Sequence, residues 1–325
     1  MTEVMAGIDI GGTNTVYGLV DRAGTILAEG HMSTTGFEDA EDFLASLAVH
    51  VRVLADHADT AVDLRGTGIG GPNGHYFSGT IEDAPNLPWQ GTLEVADILS
   101  AHMKVPAVLT NDANAAAMGE MLYGAATEMK DFVVVTLGTG LGSGFVVDGT
   151  VQYGWSGFAG ELGHVIVHEN GRACGCGRRG CLETYVSAPG LVRTVMELLA
   201  EDPGDSRLCG VAMQAMTARD IADAATAGDL LAREAFLRTG QTLGLALANT
   251  IAISSPQAII LFGGLAQAGR LLLDPTREAM ERNTLPILKG STRLMLSALM
   301  RKNAAVLGAA ALAWDAFTAH AEVRE

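Results

Sequence analysis

At 325 residues the chain has room for about two domains of roughly 100 to 200 residues each, and 48% hydrophobic against 18% charged residues exclude a disordered polymer. Lys and Arg number 21 against 37 Asp and Glu, a formal charge of −16, which repels a nucleic-acid backbone or an anionic bilayer because no basic run gathers the cations. The longest apolar stretches, such as 304–314, are shorter than the ~18 residues of a membrane span, and the N-terminus lacks the basic and apolar regions of a signal peptide. A cytoplasmic protein with neither nucleic-acid nor membrane partners is expected.

Glycine is abundant, 40 residues against 9 Pro, and tight turns are its expected use. Val4 to Ile10, Thr15 to Val20 and Thr25 to Ala28 are short apolar runs separated by a Gly-rich turn and by Asp21 to Gly24, which predicts a three-strand meander. Thr35 and Glu38 have capping-box spacing, and Phe37, Phe43, Leu44, Leu47, Val51 and Leu54 follow at helical intervals, so a helix of about five turns is expected next. A strand at 66–70, a helix at 93–102, a buried strand at 105–110 and a helix at 113–122 complete this half.

The plan restarts at Asp131. Runs 131–137, 143–147 and 150–153, with turns at 138–142 and 148–149, overlay the first meander without a gap: Gly11 matches Gly138 and Asp21 matches Asp148, each 127 positions apart (138 − 11, 148 − 21). Internal duplication explains this most simply; two unrelated Gly-rich hairpins are the alternative. Helices at 191–200, 218–227 and 230–250, a strand at 257–262 ending in Gly263-Gly264, and an apolar helix at 304–317 follow. The fold class is therefore α/β, two similar domains each with a mixed sheet and flanking helices. Their expected extents are 1–116 with 304–325 for the smaller and 117–303 for the larger. A cleft between such halves is where ligands bind.

Asp9-Ile10-Gly11-Gly12-Thr13-Asn14 places a carboxylate at a strand end, then glycines and two side-chain donors. Backbone N–H groups in such a turn cradle phosphate oxygens, and Asp9 could hold a hydrated Mg²⁺. An ordinary Gly-Gly hairpin is the bland reading, but the second donor-rich turn at 136–144 favours a paired triphosphate grip. A Walker A motif is absent, and the one Gly-x-Gly-x-x-Gly match, at Gly66, Gly68 and Gly71, runs into Pro72-Asn73 rather than a helix. Asn111-Asp112 follows a buried strand and opens an Ala-rich helix. Asp112 there could be a general base for an attacking hydroxyl or a helix N-cap; in either case the helix N-terminus is expected to keep it ionised.

His164, Cys174, Cys176 and Cys181 form a Cys₃His set with intervening glycines, suited to tetrahedral zinc in a structural site with no open position. Adventitious thiols, or His168 in place of His164, are the alternatives. Asn86, Glu161 and Glu183 supply the amide and carboxylate groups that a polyhydroxylated sugar needs.

Asp9 to Asn14, Asn111-Asp112-Ala113-Asn114, Leu137 to Gly142, and Glu161-x-Gly-His164 with Cys174-x-Cys176-Gly177-x-x-Gly180-Cys181-Leu182-Glu183 together resemble the ROK family of bacterial sugar kinases, in the actin-like ATPase superfamily, over essentially the whole chain. The resemblance implies that Asp112 is the catalytic base. It implies that Asn86, Asn111, Glu161, His164 and Glu183 bind sugar hydroxyls, and that His164 joins the three cysteines on zinc. Asp9, Gly11, Gly12, Thr13, Asn14, Gly138, Thr139, Gly140, Gly263 and Gly264 would bind ATP with Mg²⁺. The family also contains repressors with an added helix-turn-helix; only eight residues precede Asp9, and a repressor is not expected. A non-catalytic sugar sensor would be expected to have lost Asp112 or the glycines. The implied activity is an ATP:hexose kinase, a glucokinase, since Glu183-Thr184-Tyr185-Val186-Ser187 resembles that branch. N-acetylmannosamine, N-acetylglucosamine or fructose as substrate, and polyphosphate as donor, stay open. Similar kinases are homodimers or homotetramers.

Overall fold

The computed structural model describes residues 1–300 and 303–318; of the C-terminal segment expected at 304–325, positions 319–325 lie outside them. Two compact units are present among the described residues, one comprising 1–130, 144–159, 298–300 and 303–318, the other 131–143 and 160–297.

The first unit begins with β1 (Thr2–Ile10), β2 (Asn14–Asp21) and β3 (Ile26–Ser33), an antiparallel meander. Helix α1 (Ala40–Asp56) buries Phe43, Leu44, Leu47, Ala48 and Val51, the apolar stripe of the sequence. Its cap is Asp39, whose carboxylate accepts from the Asp42 N–H at 2.8 Å. The expected Thr35–Glu38 box does not form, because Thr35 bonds locally to Ser33, a competing turn typical of Ser and Thr. β4 (Val62–Gly70) runs parallel to β1 and extends further toward the N-terminus than the expected strand. Short strands β5 (Gly74–His75), β6 (Thr80–Glu82) and β7 (Thr92–Leu93) make a small separate sheet. Then come α2 (Val95–Met103), β8 (Ala107–Thr110), parallel to β4, and α3 (Asp112–Tyr123). The sheet order is β3-β2-β1-β4-β8.

The second five-stranded sheet uses β9 (Phe132–Leu137), β10 (Leu141–Val147) and β11 (Thr150–Val151). After α4 (Ala188–Glu201), α5 (Ala218–Thr226) and α6 (Leu230–Ser254) it gains β12 (Ala258–Phe262) and, beyond α7 (Arg270–Asn283), β13 (Arg293–Leu296). Its order is β11-β10-β9-β12-β13, with β9, β12 and β13 parallel. That is the order of the first sheet, and β9 ends and β10 begins 127 positions after β1 ends and β2 begins. Unrelated hairpins would not reproduce a five-strand order, so the duplication stands. Neither α7 nor β13 is evident in the sequence: Pro275 lies inside α7, against the usual rule for helix interiors. Gly240 and Gly244 of α6 let α7 pack closely there, since an added methyl on Gly240 would sit 2.6 Å from the Pro275 ring and one on Gly244 2.7 Å from the Ala279 methyl.

The last helix, α8 (Ala304–Thr318), explains part of the glycine excess. A Cβ on Gly7 of β1 would collide with the Val306 carbonyl, and one on Gly68 of β4 with the Ala309 carbonyl. Glycine on the sheet and alanine on the buried α8, where Ala309, Ala310, Ala311 and Ala313 are fully buried, bring backbone against backbone. Many glycines therefore serve packing rather than turns.

Candidate functional site

In the first unit the site residues gather where three parallel strands end. Asp9 on β1 is in register with Gly70 on β4, and Gly70 with Thr110 on β8, so Asp9 and the Asn111-Asp112 pair leave the sheet at the same end. This is the edge at which parallel α/β sheets bind ligands. Gly70 lies between the two acids: a Cβ there would stand 3.5 Å from Asp9 Oδ1 and 3.9 Å from Asp112 Cα.

Asn111 is the N-cap of α3, its Oδ1 accepting from the Asn114 N–H at 2.7 Å. Asp112 is thus the first helical residue rather than the cap, and its Oδ1 accepts from the Ala113 N–H at 2.9 Å. The residue is open to solvent, yet the protein crowding its carboxyl removes enough water to raise its pKa against the opposing pull of the Ala113 and Asp112 N–H groups. A carboxyl reached by water from one side still lacks much of its hydration. The N–H groups at the helix N-terminus thus lower the Asp112 pKa by less than burial raises it. Burial, and then the charge of Asp112, push Asp9 up from 3.8 to about 7. Two crowded acids of this kind suit a cation or a proton in transit.

The turn after Asp9 is closed by the Gly11 N–H donating to the Asn14 carbonyl at 3.1 Å, and Thr13 and Asn14 are exposed. A Cβ on Gly12 would run into the Asn86 carbonyl. The glycine accordingly seats the Asn86 segment against the turn, bringing together two sequence-predicted positions.

In the second unit β9 and β12 end side by side, Thr136 in register with Phe262. The turns that follow, Gly138-Thr139-Gly140 and Gly263-Gly264, are neighbours: Gly263, at φ +103°, lies against the Leu137 backbone. The Gly138 N–H donates to the Gly140 carbonyl at 3.0 Å, and the Gly142 N–H to Thr136 Oγ1 at 3.1 Å. No protein atom lies within 4 Å of where a Cβ of Gly138 or Gly264 would stand, and neither has a positive φ. Neither torsion nor internal packing demands glycine at these two places, leaving space that a ligand's approach would use. A Cβ on Gly140 would meet only Glu183 Oε2, at 3.2 Å, so this turn adjoins Glu183.

His164, Cys174, Cys176 and Cys181 converge, their ligand atoms all within 4.8 Å of one another. The separations are 3.6 Å for Cys176 Sγ to Cys181 Sγ and 3.7 Å for Cys174 Sγ to His164 Nδ1. Sulfurs at about 2.3 Å from a tetrahedral zinc stand about 3.8 Å apart, and the cysteines are not disulfide-bonded. The set is compatible with zinc. His168 instead packs on the Tyr185 ring, centroids 4.6 Å apart, which removes it as the alternative ligand. With His164 Nδ1 facing the sulfurs, its Nε2 points to Glu161, 4.0 Å from Oε2, while Glu183 Oε1 lies 2.9 Å from Cys174 Sγ. Glu161, His164 and Glu183 thus share one neighbourhood.

Several residues that hold this neighbourhood carry no sequence signal. Ser143 Oγ donates to the Gly160 carbonyl and accepts from the Leu162 N–H at 3.3 Å, pinning the turn that bears Glu161 and the short 3-10 helix Leu162–His164. A Cβ on Gly163 would strike the Leu141 carbonyl, so this turn lies directly on β10. Arg172 and Tyr185 brace the other side. Among the described residues no helix is long and apolar enough to cross a membrane.

The model of the ROK family matches residues 5–316. The chain is 34% identical to a glucokinase of Halalkalibacterium halodurans, covering 93% of this chain and 92% of that protein. It is 29% identical to a xylose repressor of Caldicellulosiruptor bescii over 94% of this chain and 77% of the repressor. Among solved structures, a ROK family glucokinase from Streptomyces griseus in complex with glucose and AMPPNP superposes with a TM-score of 0.80 at 32% identity, covering 95% of this chain and 98% of that one. With a family model matched over nearly the whole chain and a relative at 34% identity, the chain belongs to the ROK family.

Proposed function

We propose that this chain is an ATP-dependent hexose kinase, a glucokinase that converts glucose to glucose 6-phosphate. The observation that carries the reading is the place of Asp112: Asn111 does the capping, leaving the Asp112 carboxyl, with its raised pKa, able to receive a proton. The whole-length likeness to a glucokinase solved with glucose and AMPPNP supports it.

In the proposed reaction the sugar's 6-oxygen bonds to the γ-phosphorus, the bond from that phosphorus to the bridging oxygen breaks, ADP leaves, and the hydroxyl proton passes to Asp112. Phosphoryl transfer of this kind depends mainly on positioning and charge stabilisation. Asn86, Asn111, Glu161, His164 and Glu183 orient the sugar; Asn111 uses its Oδ1 in the cap and offers its NH₂. Gly11, Gly12, Thr13 and Asn14 serve the phosphates together with Gly138, Thr139 and Gly140, and Gly263-Gly264 lie on the adenosine side. The raised pKa of Asp9 fits a carboxyl waiting for Mg²⁺, which would neutralise phosphate charge. A structural zinc on His164, Cys174, Cys176 and Cys181 would fix the imidazole so that Nε2 serves the sugar. The exposed apolar side chains Leu230, Leu237, Leu245 and Ile253 of α6 recur every seven or eight positions and offer a face for self-association, in keeping with a dimer or tetramer. A cytoplasmic location is proposed on the same reading.

An ADP-release assay over glucose, mannose, fructose, N-acetylglucosamine and N-acetylmannosamine tests the assignment. Glucose is expected to give the highest kcat/KM. An N-acetylated sugar tenfold better than glucose would move the substrate, and binding of glucose without ADP release would leave a sensor instead of an enzyme.

A further inference from the structure

The Arg172 side chain is about 10% exposed and spends every N–H it has. Nε and Nη2 grip Glu197 bidentately at 2.9 and 2.6 Å, Nη1 reaches the Thr184 and Gly190 carbonyls at 2.7 and 3.0 Å, and Nη2 also reaches Thr194 Oγ1 at 2.9 Å. Those are the five donors of a guanidinium, all satisfied. The plane also lies over the Tyr185 ring, 4.4 Å from its centroid, and the Arg172 backbone N–H donates to the Tyr185 hydroxyl at 2.9 Å.

These contacts join three pieces. Glu197 and Thr194 belong to α4. Gly190 lies in the first turn of the same helix, and Thr184 ends the 3-10 turn Leu182–Thr184 that carries Glu183. Arg172 itself opens the cysteine hairpin, its carbonyl accepting from the Gly180 N–H at 2.8 Å. Glu183 immediately precedes the clamped Thr184 carbonyl and lies 3.8 Å from His164 Nδ1. Lysine would keep the charge but has three donors and no planar fork.

We propose that Arg172 is a positioning residue for the sugar: by tying the Leu182–Thr184 turn to α4 and to the start of the cysteine hairpin, it fixes Glu183 against His164. The inference rests on the sugar-binding roles proposed above for those two residues. A general stabiliser would affect both substrates and the metal; a positioning residue acting through Glu183 affects the sugar alone.

The test compares wild type, Arg172→Lys and Thr194→Val, each purified with its metal, by steady-state kinetics in glucose and in MgATP and by zinc content per chain. Arg172→Lys is expected to raise the glucose KM about tenfold, the effect of losing charge-assisted hydrogen bonds, while the MgATP KM and kcat stay within about twofold and zinc is retained. Thr194→Val, which removes one acceptor, shifts the glucose KM the same way by a smaller factor. An unchanged glucose KM in a folded, zinc-loaded Arg172→Lys overturns the proposal, as does an equal rise in both KM values or loss of zinc. If Arg172→Lys does not fold, Thr194→Val decides by the same criteria. Should the wild type bind glucose without turning it over, the kinase reading fails, and calorimetric glucose affinity of the same variants still decides the role of Arg172.

Discussion

Asp9 and Asp112 flank Gly70: a Cβ on that glycine would stand 3.5 Å from Asp9 Oδ1 and 3.9 Å from Asp112 Cα, beside the Ala115 methyl of α3 at 3.3 Å. The charge of Asp112 adds to burial in raising Asp9 to about 7. Asp9 lies on β1 in register with Gly70, and Asp112 opens α3 two positions beyond Thr110, the residue of β8 in register with Gly70, so backbone register brings the two segments to one end of the sheet.

This pair predicts a pH-dependent stability. A carboxyl whose folded pKa is raised holds its proton longer in the folded than in the unfolded chain. Its contribution is then intact below the ordinary value of 3.8 and is lost as pH rises to about 7. Asp9→Asn mimics the protonated form and removes the penalty. Without nucleotide or Mg²⁺, the variant should exceed wild type in urea unfolding free energy at pH 8, by at most about 4 kcal/mol, with the difference shrinking toward pH 4.5. A gain independent of pH would contradict the assignment.

The glycines of the two turns should behave differently. Gly12→Ala drives a methyl into the Asn86 carbonyl, an overpacking that costs about 1–3 kcal/mol, and should lower Tm while weakening glucose binding through displaced Asn86. Gly138→Ala meets no protein atom; Tm should be unchanged and the MgATP KM should rise. Thermal melts with kinetics in each substrate distinguish the two, and a normal MgATP KM for Gly138→Ala would remove that turn from the nucleotide site.

Metal removal should damage one substrate's site first. The cysteine cluster adjoins Glu161, His164 and Glu183, so Cys176→Ser or chelation should strip zinc, measured by plasma mass spectrometry, and weaken glucose affinity by about tenfold or more. Affinity for a non-hydrolysable ATP analogue should change little. A zinc-free protein with undiminished glucose affinity would contradict the proposed role.

The 127-position repeat was legible because turn residues keep their spacing when a domain is copied, and the strand order confirms it. Asp112 was legible as the opening of a helix after a buried strand. The cap was not, since Asn111 and Asp112 are both favoured N-caps and only the Asn114 contact distinguishes them. The upward shift of its pKa was not legible either, because burial, which outweighs the local N–H groups, has no short motif to mark it. Arg172 was invisible for a related reason: its acceptors lie 12 to 25 positions ahead, spread over a turn and a helix, with no short motif to mark them. The β5-β6-β7 sheet has strands of two or three residues, too brief for any periodicity to register.

The central claim, that Asp112 takes the hydroxyl proton in phosphoryl transfer, is tested most directly by Asp112→Asn. Single-turnover formation of glucose 6-phosphate should slow by about 10²–10⁴-fold, while calorimetric affinities for glucose and for an ATP analogue stay within about threefold of wild type. Turnover within a few fold of wild type, with both ligands bound normally, would contradict it.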